Sequence, residues 1–233
     1  MSLQGRGAVA IWHDIAPEGR AEFYAWHGSE HMPERVGIPG FLSGRRFAAI
    51  NADLEFFNLY EVESLDVLKG PGYRARLNDP TPWTLAAVKH FRSVARSLCR
   101  VAASRGQGQG GLVATLRYDV ASGAEEAHEA ALVRDVLPGL AAGDGVAAAH
   151  LLVADMEASG EVNAEQRARG GANAVPRFAL VVEGWGDEAA FMTLARRELA
   201  PPFFEALGAV RPGAAGVYRH QVTRSRSASG TVG

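Results

Sequence analysis

The chain of 233 residues carries a single cysteine, Cys99. One thiol excludes an intrachain disulfide framework and a cysteine-based metal centre. No window reaches the roughly 18 consecutive apolar residues that mark a membrane-spanning helix. Met1 to Gly7 lack the apolar region of a secretory leader, so the cytoplasm is the expected location. Charge of one sign is also missing, since 24 Lys and Arg face 26 Asp and Glu. No basic cluster dominates a segment, which argues against nucleic acid and anionic membrane as partners. The run Arg224-Ser225-Arg226-Ser227 is too short to change that. Familiar catalytic signatures are absent too, with no HExxH pair and no nucleophile elbow. The glycine-rich run Gly106 to Gly111 lacks the Lys-Ser/Thr of a phosphate loop and reads as a linker.

What is present is enough apolar material, 47% of residues, for a sizeable core. The length fits two units of about 100 residues each. Laid against itself at a shift of 105 residues, Ala8 to Ala16 falls on Val113 to Ala121. The same shift superposes Asp14 on Asp119, Pro33 on Pro138 and Gly40 on Gly145. Phe56 to Glu61 resembles Phe178 to Glu183 at a larger shift, so the second unit carries extra residues. These are Glu157 to Pro176, rich in Ala, Gly and Asn, and their composition predicts a mobile loop.

Both units show one order of elements. Apolar, β-prone runs predict strands over 8–14, 41–49, 55–63 and 97–104, then 112–120, 146–155, 177–185 and about 215–223. A helix starts at Pro17-Glu18-Gly19 and stops before Ile38-Pro39-Gly40. Others are predicted from Ser64, over 125–140 and over 187–199. The expected fold is α+β, with two tandem ferredoxin-like repeats, residues 1–105 and 112–224, joined by a linker at 106–111. A four-stranded sheet with helices on one face leaves its other face bare. Two such sheets solve this by packing face to face, here within one chain. Residues 225–233 are polar and small, and are expected to be a disordered tail.

The stretch Trp26-His27-Gly28-Ser29-Glu30-His31-Met32-Pro33-Glu34-Arg35, followed by Pro39-Gly40-Phe41 and Arg45-Arg46, is the most distinctive. It resembles the W…EHMPER…PGF…RR signature of EthD-like and related proteins of the dimeric α/β-barrel superfamily, over residues 8–62. The resemblance implies a small-molecule enzyme without naming its reaction; the alternatives are a non-catalytic or stress-associated protein that only binds a hydrophobic ligand, and a haem or metal enzyme of the same superfamily. Cofactor-free monooxygenases, muconolactone-type isomerases, polyketide cyclases, decarboxylases and haem-using members all occur in that superfamily.

His31 matches the signature histidine and is the expected general acid/base, with Glu30 or Glu34 to orient it. The alternative is that His31 bonds a backbone carbonyl and locks the turn into Pro39-Gly40. A role in chemistry is favoured because the second unit keeps the proline and glycine landmarks but has Val136 at that position. Tyr60 is the expected donor to a developing oxyanion. Phe23, Trp26, His27, Arg45 and Trp83 are expected to bind substrate, with His27 at the rim. For Arg45 the alternative is a salt bridge at the barrel rim. Trp12, Phe41, Phe47 and Phe57 could line an aromatic pocket with Phe23, Trp26 and Trp83, although core is the better reading for most of these rings. His27 and His31, four apart, could face one metal with His13, Glu61 or His90 as a third ligand, but the spacing is a weak signal and no metal site is predicted. No haem motif is visible, so no cofactor is expected. The expected partner is a small apolar, aromatic or polyketide-like molecule, and whole barrels could pair as homodimers. Asp14 and Asp119, kept in both units, read as turn or cap residues.

Overall fold

The computed structural model describes residues 3–210 and 214–226. Eight strands form one closed barrel: β1 (Gly7–Ile15), β2 (Phe41–Asn51), β3 (Phe56–Val62), β4 (Phe91–Gly106), β5 (Leu112–Tyr118), β6 (Val146–Ala154), β7 (Phe178–Gly184) and β8 (Ala214–Ser225). Around the barrel they run β1-β3-β2-β8-β5-β7-β6-β4, and every neighbouring pair is antiparallel. Each half therefore contributes four adjacent strands. The two halves meet at the seams β2/β8 and β4/β6.

Alternation along the strands splits the core in two. One face turns into the barrel, where Trp12, Phe47, Phe57, Val113, Leu152, Val181 and Tyr218 pack together. Trp12 crosses that space and donates from Nε1 to Thr115 Oγ1 at 3.0 Å. The other face turns outward beneath the helices, which cover it with an apolar layer in each half. Placing Trp12, Phe47 and Phe57 inside the barrel removes them from any pocket under the helices.

The helix that follows β1 is interrupted. It runs as α1 (Arg20–Trp26), a π turn (His27–His31) and α2 (Met32–Val36). In the second half the corresponding helix is α6 (Glu125–Ala131), a π turn (Leu132–Val136) and α7 (Leu137–Ala141). All three segments start and end 105 residues after their counterparts. Gly40 and Gly145 then turn the chain into β2 and β6 with φ of 90° and 76°, a conformation that favours glycine. Asp14 and Asp119 accept the backbone N–H of Glu55 (2.8 Å) and Arg177 (2.9 Å), which is the turn role their repetition suggested.

Two expectations need correction. Glu157 to Pro176 is an ordered cover rather than a loose loop. It contains α8 (Met156–Gly160) and α9 (Ala164–Arg169), capped by the side chains of Asp155 and Asn163. Ser159 Oγ accepts the Leu98 N–H at 2.9 Å, and the Ala174 carbonyl accepts the Arg96 N–H at 2.9 Å, which pins the segment to β4. Ser225, assigned to a tail, is the last residue of β8 and pairs with Ser43; residues 227–233 lie outside the described residues. After β3 the chain forms α3 (Leu65–Lys69), α4 (Pro71–Asn78) and α5 (Pro82–Ala87). Among the described residues no helix is long and apolar enough to cross a membrane.

Candidate functional site

The π turn sets the geometry. Its i→i+5 hydrogen bonding widens the helix, and such turns concentrate at functional sites. Here it carries both His27 and His31 to the sheet side, with ring centroids stacked 5.4 Å apart. His27 was expected at the rim, on ordinary α-helical spacing; the wider turn buries it instead. Arg46 Nη1 lies 3.2 Å from His27 Nδ1, and Tyr60 Oη lies 3.2 Å from His27 Nε2. An arginine can only donate, so Nδ1 accepts, and a neutral His27 must carry its proton on Nε2. It therefore donates to Tyr60 Oη. The phenol proton is left for another acceptor.

His31 stands beside Trp26, ring centroids 4.3 Å apart, and 6.3 Å from Tyr60. Neither of its ring nitrogens has a hydrogen-bond partner among the described residues, and Nδ1 is buried. The turn into Pro39-Gly40 is thus not held by this imidazole. Nor do Glu30 and Glu34 orient it: Glu30 accepts from Thr81 and Thr84, while Glu34 meets Arg35 and Arg76. Burial, then the positive charge of Arg35, pushes the His31 pKa well below its ordinary value. Burial and Arg46 do the same for His27. Both rings are neutral. Burial raises the Tyr60 pKa above that of an ordinary phenol, so its proton stays on.

His31 and Tyr60 line one cavity of about 90 Å³. A water needs about 10–15 Å³ on this scale, so the space suits several waters or a compact ring system. Trp26, Phe41, Tyr73 and Phe91 supply aromatic walls, and Arg35 and Arg96 line it as well. The second half closes it with Asn163, Glu165, Gln166, Arg169 and Asn173 from the α9 cover. Phe23 does not reach the cavity; it packs behind, against His13, Phe56 and Phe91. Trp83 lies outside the cavity too and donates from Nε1 to Glu22.

Arg45 is on the other side of the sheet. It alternates with Arg46 and so points into the barrel, where it forms a two-pronged ion pair with Glu183 at 2.7 and 2.8 Å. It neither binds in the cavity nor forms a rim salt bridge. Residues missed by sequence reasoning are Arg35, Tyr73, Arg96, Glu165 and Arg169. One clue was there to use: Arg96 stands between Val94 and Leu98 in the alternation of β4.

Among the described residues no group of three His, Cys, Asp or Glu side chains could hold a metal ion. His13 is paired with Asn58, and Glu61 accepts from the Gly5 backbone N–H. Haem does not fit the residues present. The cavity beside His31 is far smaller than a porphyrin. A wider neighbouring cavity of about 820 Å³ is lined by no His, Cys or Met, and its Tyr118 is tied to His128.

No family model matches the chain, and no curated protein matches it. Solved structures do. An anthrone oxidase-like protein superposes with a TM-score of 0.62 at 16% identity, covering 97% of this chain and 95% of its own. The fold is that of the dimeric α/β barrels. A provisionally named monooxygenase from Lactobacillus acidophilus NCFM gives 0.54 at 10% identity, covering 94% of this chain and 96% of its own. A provisionally named chlorite dismutase gives 0.52 at 8% identity, covering 93% and 94%. At these identities the likeness concerns the dimeric α/β-barrel fold alone.

Proposed function

We propose that the chain is a cofactor-independent enzyme that moves a proton on a small aromatic or polyketide-like molecule, with His31 as general acid/base and Tyr60 as oxyanion donor. The observation that carries this reading is the neutral His31 imidazole, without a hydrogen-bond partner on either nitrogen, on a cavity shared with Tyr60. With Nδ1 sealed, the Nε2 edge is the one that meets a ligand. Nε2 takes a proton from a carbon next to a carbonyl or on an activated ring. The charge that develops on oxygen is met by the Tyr60 hydroxyl, itself held by His27 Nε2–H. An empty, desolvated imidazole is a weak base; the negative charge formed on the bound ligand stabilises the imidazolium beside it. Isomerisation, cyclisation, decarboxylation and cofactor-free oxygenation all open with such a step. The signature over residues 8–62 supports an EthD-like affiliation. The matched strand order and helix boundaries support reading the halves as tandem ferredoxin-like repeats, the second of which completes the barrel and roofs the site.

The first step can be measured without knowing the whole reaction. One- and two-ring aromatic ketones, lactones and acids are incubated with the protein in deuterated buffer, and loss of the acidic C–H signal is followed by NMR. The wild type should catalyse exchange for at least one of them. His31→Ala should abolish it while leaving binding of that molecule within a few-fold. Binding without exchange in the wild type would make the protein a carrier of hydrophobic ligands, and equal exchange in His31→Ala would remove the histidine from the chemistry.

A further inference from the structure

Three arginines line the cavity beside His31, and they are not equally satisfied. Arg35 is buried between Glu34, at 3.0 Å, and Glu165. Arg96 and Arg169 meet no carboxylate among the described residues. Arg96 is 9% exposed and donates from Nη2 to Tyr73 Oη at 3.0 Å. Arg169, at the end of α9, donates from Nη2 to the Gly171 carbonyl at 3.4 Å and to Asn173 Oδ1 at 2.7 Å. On both side chains Nε and Nη1 remain uncommitted. A buried cation such as Arg96 without a counter-ion is unfavourable, and a second, partly buried guanidinium facing the same space makes it more so. Burial, then the charge of Arg96, lowers the pKa of Arg169, which places the two guanidinium groups within each other's field.

We propose that Arg96 and Arg169 form an anion subsite, and that the ligand of this cavity is an aromatic carboxylate of one or two rings. The carboxylate sits between the guanidinium groups, which match its planar geometry through paired N–H donors. The ring lies against Trp26, Phe41 and Phe91, and its far end approaches His31 and Tyr60. Arg169 also borders the wider neighbouring cavity, with Phe91 and Val94, so it stands where a ligand would enter. The charge requirement rests on the arginines alone; only the fate of the bound ligand rests on the function proposed above.

Binding is measured by titration calorimetry with salicylate and 2-naphthoate, each against its primary amide. The acids should bind at least ten-fold more tightly than the amides. Arg96→Met and Arg169→Gln should each weaken the acids about 10- to 100-fold and leave the amides unchanged. Amides that bind as well as the acids, or acids that fail to bind at all, would overturn the subsite. So would a variant of wild-type melting temperature that binds the acids normally. Should Arg96→Met unfold, the less buried Arg169→Gln decides. His31→Ala separates the two ideas: acids bound equally by both proteins, with no deuterium exchange in either, sink the enzyme reading and leave the anion subsite standing.

Discussion

Removing Arg45 should cost the fold far more than its place in a strand suggests. Arg45 is 2% exposed and Glu183 fully buried. Besides the two contacts from Arg45, Glu183 accepts the Gly110 N–H at 2.9 Å and lies 3.2 Å from His150 Nε2, while His150 Nδ1 is 2.9 Å from Ser104 Oγ. Burial alone would raise the Glu183 pKa; hydrogen bonds from His150 and Arg45 and the Arg45 charge instead hold it down to about 2. Taken from 4.5 to about 2, this corresponds to roughly 3 kcal/mol of stability. Because the folded value is the lower one, that stability is present above pH 4.5 and drains away as pH falls toward 2. Arg45→Met leaves the buried Glu183 carboxylate without its arginine, held only by the Gly110 N–H and His150, with an expected loss of about 3–5 kcal/mol. For a chain of this size that is a fall in melting temperature of roughly 6–20 °C. The double variant Arg45→Met, Glu183→Leu deletes both charges and should recover much of the loss. Urea denaturation at pH 7 reads all three proteins. A single variant within 1 kcal/mol of wild type, or a double variant worse than the single, would refute the reasoning.

Other consequences can be tested on the same footing. Tyr60→Phe removes the phenol proton but keeps the ring, so catalysed exchange should fall about 100- to 1000-fold with ligand affinity little changed; an unaffected rate would take Tyr60 out of the mechanism. Gly44 lies against the Tyr60 ring, where an added Cβ would sit 2.6 Å from Cε1. Gly44→Ala should therefore cost about 1–3 kcal/mol and lower exchange, and an unchanged melting curve would show that the ring has room to shift. Burial lowers the pKa of His13 to about 3 and those of His27 and His31 well below 6.5. The unfolded chain takes up these protons below pH 6.5 and the folded chain does not, so stability present above 6.5 is lost on acidification. Each histidine contributes about 1.4 kcal/mol per pH unit in that window, and His31→Ala should reduce the measured slope by that amount between pH 6 and 5.

The strands were legible because local composition decides them. Phe178-Ala179-Leu180-Val181-Val182 can do little but enter a sheet, and the predicted 177–185 brackets the observed Phe178–Gly184. Punctuation was equally plain at Gly40 and Gly145, where positive φ leaves glycine the easy choice. The α9 cover was missed because Ala-, Gly- and Arg-rich sequence carries no apolar period. Its order comes from the Asn163 cap and from bonds to β4 that only folding brings near. His31 and Trp26 stand in the signature, Tyr60 was singled out as a phenol facing a cleft, and all three line one cavity. The site of His27 was misjudged because nothing in Trp26-His27-Gly28-Ser29-Glu30-His31 announces a π turn. Arg45 was misjudged because its partner, Glu183, is 138 positions away in the other half. Arg96 and Arg169 escaped for a similar reason: a missing counter-ion is visible only once every neighbour is in place.

Closure of the barrel reaches beyond this cavity. Antiparallel ladders bridge both seams, so among the described residues every strand of the barrel has a neighbouring strand on each side. Among the described residues a second copy therefore finds no edge strand of the barrel to extend. Association between molecules must then be built from side chains on the helical and loop exterior, where Trp185 stands 64% exposed and Phe203 47%. Such contacts can be gained or lost by single substitutions without disturbing the ladder that holds the molecule shut.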